Sequence, residues 1–199
     1  MRLIIIGASG HGRVVADIAK KCGYENIVFL DHDPAVRFCG EFAVIGTDDM
    51  ASQIEGDLFI AIGNGQVRKK LMELHKERHF PVLIHPSASV ADDVEIGCGS
   101  VVMAGAVINS EAKLGKGVIV NTCASVDHDC RIADFVHIAV GAHLCGTVSV
   151  GEQTWIGAGA VVRNQIQICE NCMIGVGAAV IKDIHTSGTY VGVPARKIK

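Results

Sequence analysis

The sequence is poor in aromatic residues, with one Trp, two Tyr and six Phe among 199 residues. A core built mainly from rings is therefore excluded, and the interior must be filled by Val, Ile, Leu and Ala. Only four prolines are present, so no stretch reads as a stiff proline-rich linker. No long apolar run occurs either. Leu3–Ile6 is too short for a signal peptide or a membrane span, and the cytoplasm is the expected compartment. Charge of one sign is also lacking. A formal net charge of −3 gives no reason to expect nucleic acid or a membrane surface as partner.

What the chain has is a repeat. From Val90 to Val180 every sixth residue is aliphatic, sixteen in succession without an insertion: Val90, Ile96, Val102 and so on through Ile168, Ile174 and Val180. With about a third of residues aliphatic, chance would give such a phase about once in 10⁷–10⁸ tries, so repetition is the explanation. A second column, two residues before each hit, holds mostly small residues and no charged one, including Ala106, Ala124, Ala142 and Ala160. Glycine follows the aliphatic residue at Gly97, Gly115, Gly151, Gly157 and Gly175.

Two columns two residues apart face the same way on an extended strand. A period of six then reads as one short strand and one corner, with these glycines expected at the corners. Three sides close a coil of eighteen residues, and coils stack at about 4.8 Å through parallel backbone hydrogen bonds. Sixteen hexads make about five coils. The pattern excludes an α-helix and a hairpin meander.

The first 80 residues or so follow another pattern. Leu3–Ile6 reads as a buried strand before Gly7-Ala8-Ser9-Gly10-His11-Gly12, and Val14, Val15, Ile18, Ala19 and Cys22 mark a helix ended by Gly23. Ile27–Leu30 and Asp57–Ile62 read as further strands, with a loop containing Gly40 and Gly46 between them and a short helix capped by Thr47. Val67, Leu71, Leu74 and Arg78 suggest an amphipathic helix whose outer face is basic at Arg68-Lys69-Lys70. Pro81–Ile84 reads as a fourth strand. Alternating strands and helices predict a small Rossmann-like parallel α/β domain. The division expected is residues 1–83 for this domain, 84–183 for the all-β parallel helix of hexapeptide repeats, and 184–199 for a tail capping the last coil.

Ligands of open parallel sheets sit beyond the carboxyl ends of the strands. Three loops lie there: Gly7–Gly12, Asp31-His32 and Gly63-Asn64. Glycines let backbone N–H groups approach a diphosphate at a helix N-terminus, and Asp31 could bond a ribose hydroxyl. The spacing is G-x-x-G-x-G, which favours a nucleotide-diphosphate ligand over a dinucleotide. Eight cysteines fit free thiols in a reducing compartment. Cys169-x-x-Cys172 resembles a redox or zinc pair, but the repeat register accounts for both residues, with Cys172 inward and Cys169 at a corner. No metal site is expected.

In the repeat, His128 falls at a corner between Asp127 and Asp129, with Ser110 and Gly146 as its neighbours one coil away. His137 should face outward from a flat side, with Trp155 stacked over it; His143 repeats that phase one side further on. A corner histidine beside an acid can act as a general base; a solvated surface pair is the plainer alternative. His128 and His137 are half a coil apart and cannot meet within one column, so a site using both requires neighbouring copies and predicts an oligomer.

Together, the glycine loop, the hexapeptide run, Asn121-Thr122 with Asp127-His128-Asp129, His137 and the ending Gly192-Val193-Pro194-Ala195-Arg196 resemble the sialic-acid-type sugar acetyltransferases, and most closely their PglD-like N-acetyltransferases. The resemblance covers nearly the whole chain. It implies a left-handed parallel β-helix, a homotrimer, acetyl-CoA as co-substrate in the groove between columns, and a nucleotide-linked amino sugar held by the N-terminal domain. By the same resemblance His128 is the general base and Asp129 takes the place of the polarising acid, a Glu in close members. His137 matches a residue bonding the acetyl carbonyl or the cofactor. Gly146, Ala158 and Gly175 fall where the cofactor passes the backbone. Asn121 matches a polar residue near the base, and Ser9, Gly10, His11, Asp31, His32 and Gly63 match nucleotide-sugar contacts.

The implied reaction is direct acetyl transfer from acetyl-CoA to the 4-amino group of a nucleotide-activated sugar, UDP-linked by expectation. Cys145 lies near the site but at a corner usually given to Gly or Ala, so no acyl-enzyme is expected. An O-acetyltransferase of the same fold and a non-catalytic nucleotide-sugar-binding accessory protein are the alternatives. An oxidoreductase is disfavoured because about eighty residues leave no second half for a dinucleotide.

Overall fold

The computed structural model describes residues 1–199. Strand β1 (Arg2–Ile6) lies between β2 (Asn26–Leu30) and β5 (Asp57–Ile60), both parallel to it. Helix α1 (Gly10–Lys21) crosses from β1 to β2. The stretch expected to be a loop forms an antiparallel hairpin, β3 (Phe38–Cys39) and β4 (Phe42–Gly46), turned at Gly40 with φ +63°. It adds the edge of a five-stranded sheet in the order β3-β4-β2-β1-β5. Thr47 precedes a single 3₁₀ turn, Asp48–Ser52.

Two helix faces differ from the sequence pattern. In α1 the buried side is Gly12, Val15, Ala16, Ile18 and Ala19, while Val14 and Cys22 are exposed. In α2 (Gly65–Leu74) Val67 and Leu74 are exposed, and the buried residues are Arg68, Leu71 and Met72. The helix is turned by about one residue from the expected orientation because its inner side meets the repeat region as well as its own sheet. Arg68 is 1 % exposed, so it is no part of a basic outer face.

The repeat winds as a three-faced parallel β-helix of two-residue strands. Pairing partners are eighteen residues apart on every face: Ile108 with Val126, Leu114 with Ile132, Val120 with Ile138. Both inward columns fill the interior, where 27 residues, from Val102 to Ile184, form one buried cluster. The expected fourth strand belongs to this column. Leu83–Ile84 pairs with Val101–Val102 and starts one face of the coil rather than extending the N-terminal sheet. Its main-chain partners lie on the next coil, so the column begins there.

The glycines after the aliphatic residue are not where the chain turns left-handed. None of Gly97, Gly115, Gly151, Gly157 and Gly175 has positive φ; the left-handed residue comes two positions later, at Gly99, Gly117, Gln153, Gly159 and Gly177. The first set is glycine because the next coil passes too close for a side chain. A Cβ on Gly97 would lie 2.5 Å from the Gly115 carbonyl carbon.

At the far end Gly188–Val191 adds in parallel to Cys172–Ile174, and Arg196–Lys197 returns antiparallel to it. Tyr190 and Ala195 pack on the column's core. Cys169 and Cys172 are free thiols with sulfurs 3.5 Å apart. Burial holds the Cys172 thiol well above its usual range, opposite to what a reactive thiol needs.

One outer face is covered. Leu83, Val101, Met103 and Ile119 share a buried cluster with Leu3, Ile5, Val15, Ile18 and Phe59, and Phe135 joins Ile4, Ile6, Leu71 and Phe80 in another. The N-terminal sheet and both its helices are thereby fixed to the column, with the loops after β1 and β5 near His137. No helix is long and apolar enough to cross a membrane.

Candidate active site

His128 occupies a corner of the column and is exposed. Its ring Nδ1–H donates to Asp129 Oδ2 at 2.7 Å. Neighbours in an extended chain point to opposite sides; here the carboxylate reaches back because Asp129 has φ +60°, a conformation Asp tolerates better than most residues. The Asp127 carboxylate accepts the His128 backbone N–H at 2.8 Å and the Asn109 amide at 2.7 Å, which fixes the corner itself. The hydrogen bond to Asp129, then the charge of Asp127, raise the His128 pKa above its usual value. Nε2 is left free. It lies against Gly146, where a Cβ would stand 2.5 Å from the ring, so the glycine one coil away makes room for the imidazole.

His137 is 5 % exposed. It does leave its own column outward, as its register requires, but the N-terminal domain covers it. Its ring stacks on Trp155 at 4.0 Å between centroids and lies 6.2 Å from His11. Nδ1 faces the Gly63 carbonyl at 3.3 Å and Nε2 faces the Asn121 amide nitrogen at 3.2 Å. A carbonyl can only accept, so the ring proton sits on Nδ1. Burial, and then the charge of Arg68, push the His137 pKa down to about 3, so the ring is neutral and Nε2 accepts from Asn121. The Asn121 amide is oriented by the Thr122 backbone N–H, which donates to its oxygen at 2.8 Å. His137 therefore has no spare N–H for an acetyl carbonyl. One Asn121 N–H remains free. Asn121 itself stands beside His137, away from the His128 of its own chain.

The other expected residues divide among three loops. Ser9 precedes α1 with its hydroxyl making no capping bond, and Gly10 opens the helix, both exposed. His11 is largely covered; burial and then the charge of Arg68 lower its pKa to about 4, and its Nε2 is buried without a partner. Asp31 is 8 % exposed and braces the glycine loop, accepting the Ala8 N–H at 2.7 Å and the Asp33 N–H at 3.0 Å. His32 is exposed and pairs with Asp31 at 3.1 Å. Gly63 leaves space for Trp155, whose ring would be 3.4 Å from a Cβ there. Ala158 is half-buried and its carbonyl accepts from Gly177. At Gly175 a Cβ would meet Val191 at 2.7 Å, so packing of the tail already accounts for that glycine.

His11, Gly63, Asn121 and His137 thus gather at the seam between the two domains. His128, Asp129 and Gly146 sit on another edge of the column, half a coil away, and no contact joins the two groups within one chain. Sequence reasoning missed Arg68, whose guanidinium lies behind His137. No local signal marks it: the buried face of α2 runs through positions 68, 71 and 72, and an arginine on it reads as solvated.

An α/β domain seated on one face of a parallel β-helix, with a histidine–acid corner on another, defines an acyltransferase architecture of the hexapeptide-repeat class. The family of the PglD N-terminal domain matches residues 2–74. The acetyltransferase domain of PglB from Neisseria gonorrhoeae FA1090, solved in complex with acetyl coenzyme A, is 43% identical, with a TM-score of 0.96 over 99% of this chain and 98% of that one. PerB from Caulobacter crescentus, solved with CoA and GDP-perosamine, is 36% identical, with a TM-score of 0.93 over 100% of this chain and 98% of that one. UDP-N-acetylbacillosamine N-acetyltransferase of Bacillus subtilis (strain 168) is 38% identical over 109 residues, which span half of this chain and half of that enzyme. The protein belongs to the PglD-like family of sugar N-acetyltransferases.

Proposed function

We propose that this protein transfers the acetyl group of acetyl-CoA to the 4-amino group of a nucleotide-linked 4-amino-4,6-dideoxy sugar, with UDP the expected nucleotide. The observation that carries the reading is the His128–Asp129 hydrogen bond of 2.7 Å, which fixes the tautomer and leaves Nε2 open above Gly146.

The amine, as free base, attacks the thioester carbonyl. The C–N bond forms, His128 Nε2 takes the amine proton, and the C–S bond breaks. The departing CoA sulfur recovers a proton from the imidazolium, whose charge Asp129 stabilises meanwhile. A positioned base is worth roughly 10²–10⁴-fold. The oxyanion is met by a donor with an uncommitted hydrogen, the second Asn121 N–H or a backbone N–H such as that of Gly146. The sugar nucleotide lies over Ser9, Gly10, His11, Asp31, His32 and Gly63 in the N-terminal domain. Acetyl-CoA passes His137, Gly146 and Ala158 on the β-helix domain.

The two residue groups complete one site only if a neighbouring copy brings its His128 to the seam, which supports a homotrimer. The three faces differ in the manner such an assembly needs. One is covered by the N-terminal domain. A second presents Glu95, Lys113, Arg131, Ser149 and Gln167 outward, with Glu95 and Lys113 paired at 2.5 Å. The third presents Ser89, Val107, Ser125, His143, Val161 and Ala179, a face without formal charge suited to contact between copies. A cytoplasmic setting fits both substrates.

The test is CoA release with UDP-, GDP- and dTDP-linked 4-amino sugars, beside hydroxyl acceptors such as sialic acid. Acetylation of an amino sugar is expected. Acetylation of hydroxyls alone would make the protein an O-acetyltransferase, and no CoA release with any acceptor would leave a binding protein.

A further inference from the structure

The guanidinium of Arg68 is buried without a carboxylate partner. Its five N–H groups meet five backbone carbonyls: Nε donates to Gly117 at 2.9 Å, Nη1 to Ile62 at 2.8 Å and Gly63 at 2.7 Å, and Nη2 to Phe135 at 2.7 Å and Val136 at 3.4 Å. Two of these carbonyls belong to the turn after β5 and three to the β-helix. Burying a charge is expensive, and an apolar side chain of similar volume would usually hold a seam at lower cost. The domains already share apolar clusters on both sides of it. Adhesion is therefore not what the charge adds. Apolar contact is non-directional, whereas a planar fork of charge-assisted hydrogen bonds fixes distance and angle together.

The carbonyls it fixes are those around His137. Gly63 O accepts both from Arg68 Nη1 and from His137 Nδ1, at 2.7 and 3.3 Å. Phe135 O and Val136 O belong to the two residues immediately before His137. Gly63 also sits against Trp155, the ring on which His137 stacks. One guanidinium thus grips both ends of the contact between the nucleotide-sugar loops and the imidazole.

We propose that Arg68 is a positioning residue for the acceptor: it locks the Ile62–Gly63 turn to the coil that carries His137, and so sets where the N-terminal loops present the sugar amine. The proposal rests on the reading that those loops hold the nucleotide sugar. A lysine cannot replace it, because one ammonium has three donors and no fork with which to reach carbonyls on two domains.

Arg68→Lys and Arg68→Met in the full-length protein test this. Both are expected to raise KM for the nucleotide amino sugar at least about tenfold, the size of one lost charge-assisted hydrogen bond, with KM for acetyl-CoA within about twofold. Trp155 is the only tryptophan, so its emission reports the turn directly and is expected to shift to the red in both variants as the turn loosens. A merely structural role would lower the melting temperature and the active fraction while leaving both KM values and the folded protein's emission unchanged, and that result would overturn the proposal. Wild-type acceptor KM and emission in Arg68→Lys would also overturn it, and this variant decides if Arg68→Met does not fold. If the wild-type enzyme acetylates no amino sugar, the functional reading fails, while the Trp155 emission of the variants still decides whether Arg68 holds the turn.

Discussion

The Asn121 amide donates to Nε2 of His137 across 3.2 Å, from a neighbouring coil. With the opposite ring nitrogen donating to Gly63, this pins His137 as a neutral imidazole of one tautomer at the domain seam. An acetyl group arriving there meets an amide N–H and no imidazole N–H. Asn121→Asp tests the assignment. A carboxylate can only accept, so His137 must gain a proton to keep both this bond and the one to Gly63. The variant is expected to melt lower and to show a charged His137 by NMR near pH 6. Its KM for acetyl-CoA is expected to rise about tenfold, one hydrogen bond's worth.

His128→Ala is expected to lower kcat by at least about two decades, the lower end of general-base effects. The melting temperature should hardly move, because the side chain is exposed at a corner. Steady-state kinetics and a thermal melt check both. Unchanged turnover would refute the assignment of His128 as base.

As the proposed base, His128 carries an expected pH dependence. Asp129 and Asp127 raise the His128 pKa, and the base works only when unprotonated. Activity is expected to rise with pH through a midpoint above the ordinary histidine value. Asp129→Asn removes the first of these causes. Its pH–rate profile should move toward lower pH while the plateau falls, since the imidazolium formed during transfer is no longer stabilised.

Gly146→Ala places a methyl 2.5 Å from Cε1 and Nε2 of His128. The exposed ring can swing away, so folding should be nearly unaffected. The base would then be displaced by about an ångström, and kcat is expected to fall by up to about 10²-fold. A fall in melting temperature without a fall in kcat would show that the glycine serves packing alone.

Stability should depend on pH through His137 and His11. Burial, and secondarily the charge of Arg68, lower their pKa values to about 3 and about 4, while the unfolded chain protonates both near 6.5. The unfolded state binds more protons below that value, so stability is present above pH 6.5 and is lost as pH falls toward 4. Each histidine contributes a slope of about 1.4 kcal/mol per pH unit. Urea melts between pH 7 and pH 4.5 check it, with His137→Gln expected to flatten the dependence.

The β-helix was legible because its inner wall is local: Val102, Ile108 and Leu114 each state the same rule six residues apart. The same register placed Trp155 against His137 and Gly146 against His128. It misread the glycines, since Gly97 and its equivalents answer to the backbone of the next coil rather than to a turn of their own. It also misjudged strand membership at Leu83, where the choice between two sheets is made by the coil that pairs with it.

The repeat period by itself determined the column, its corners and the direction in which every imidazole leaves it, because each hexad carries both the inward residues and the turn. Which outward residues stay wet was decided by the tertiary structure alone. His137 and His143 occupy the same phase, yet only His137 lies beneath a second domain, and Arg68 owes its burial to carbonyls up to 68 positions away in the chain. Burial of a side chain that points out of its own element is a property of its distant neighbours, and no pattern around the residue encodes it.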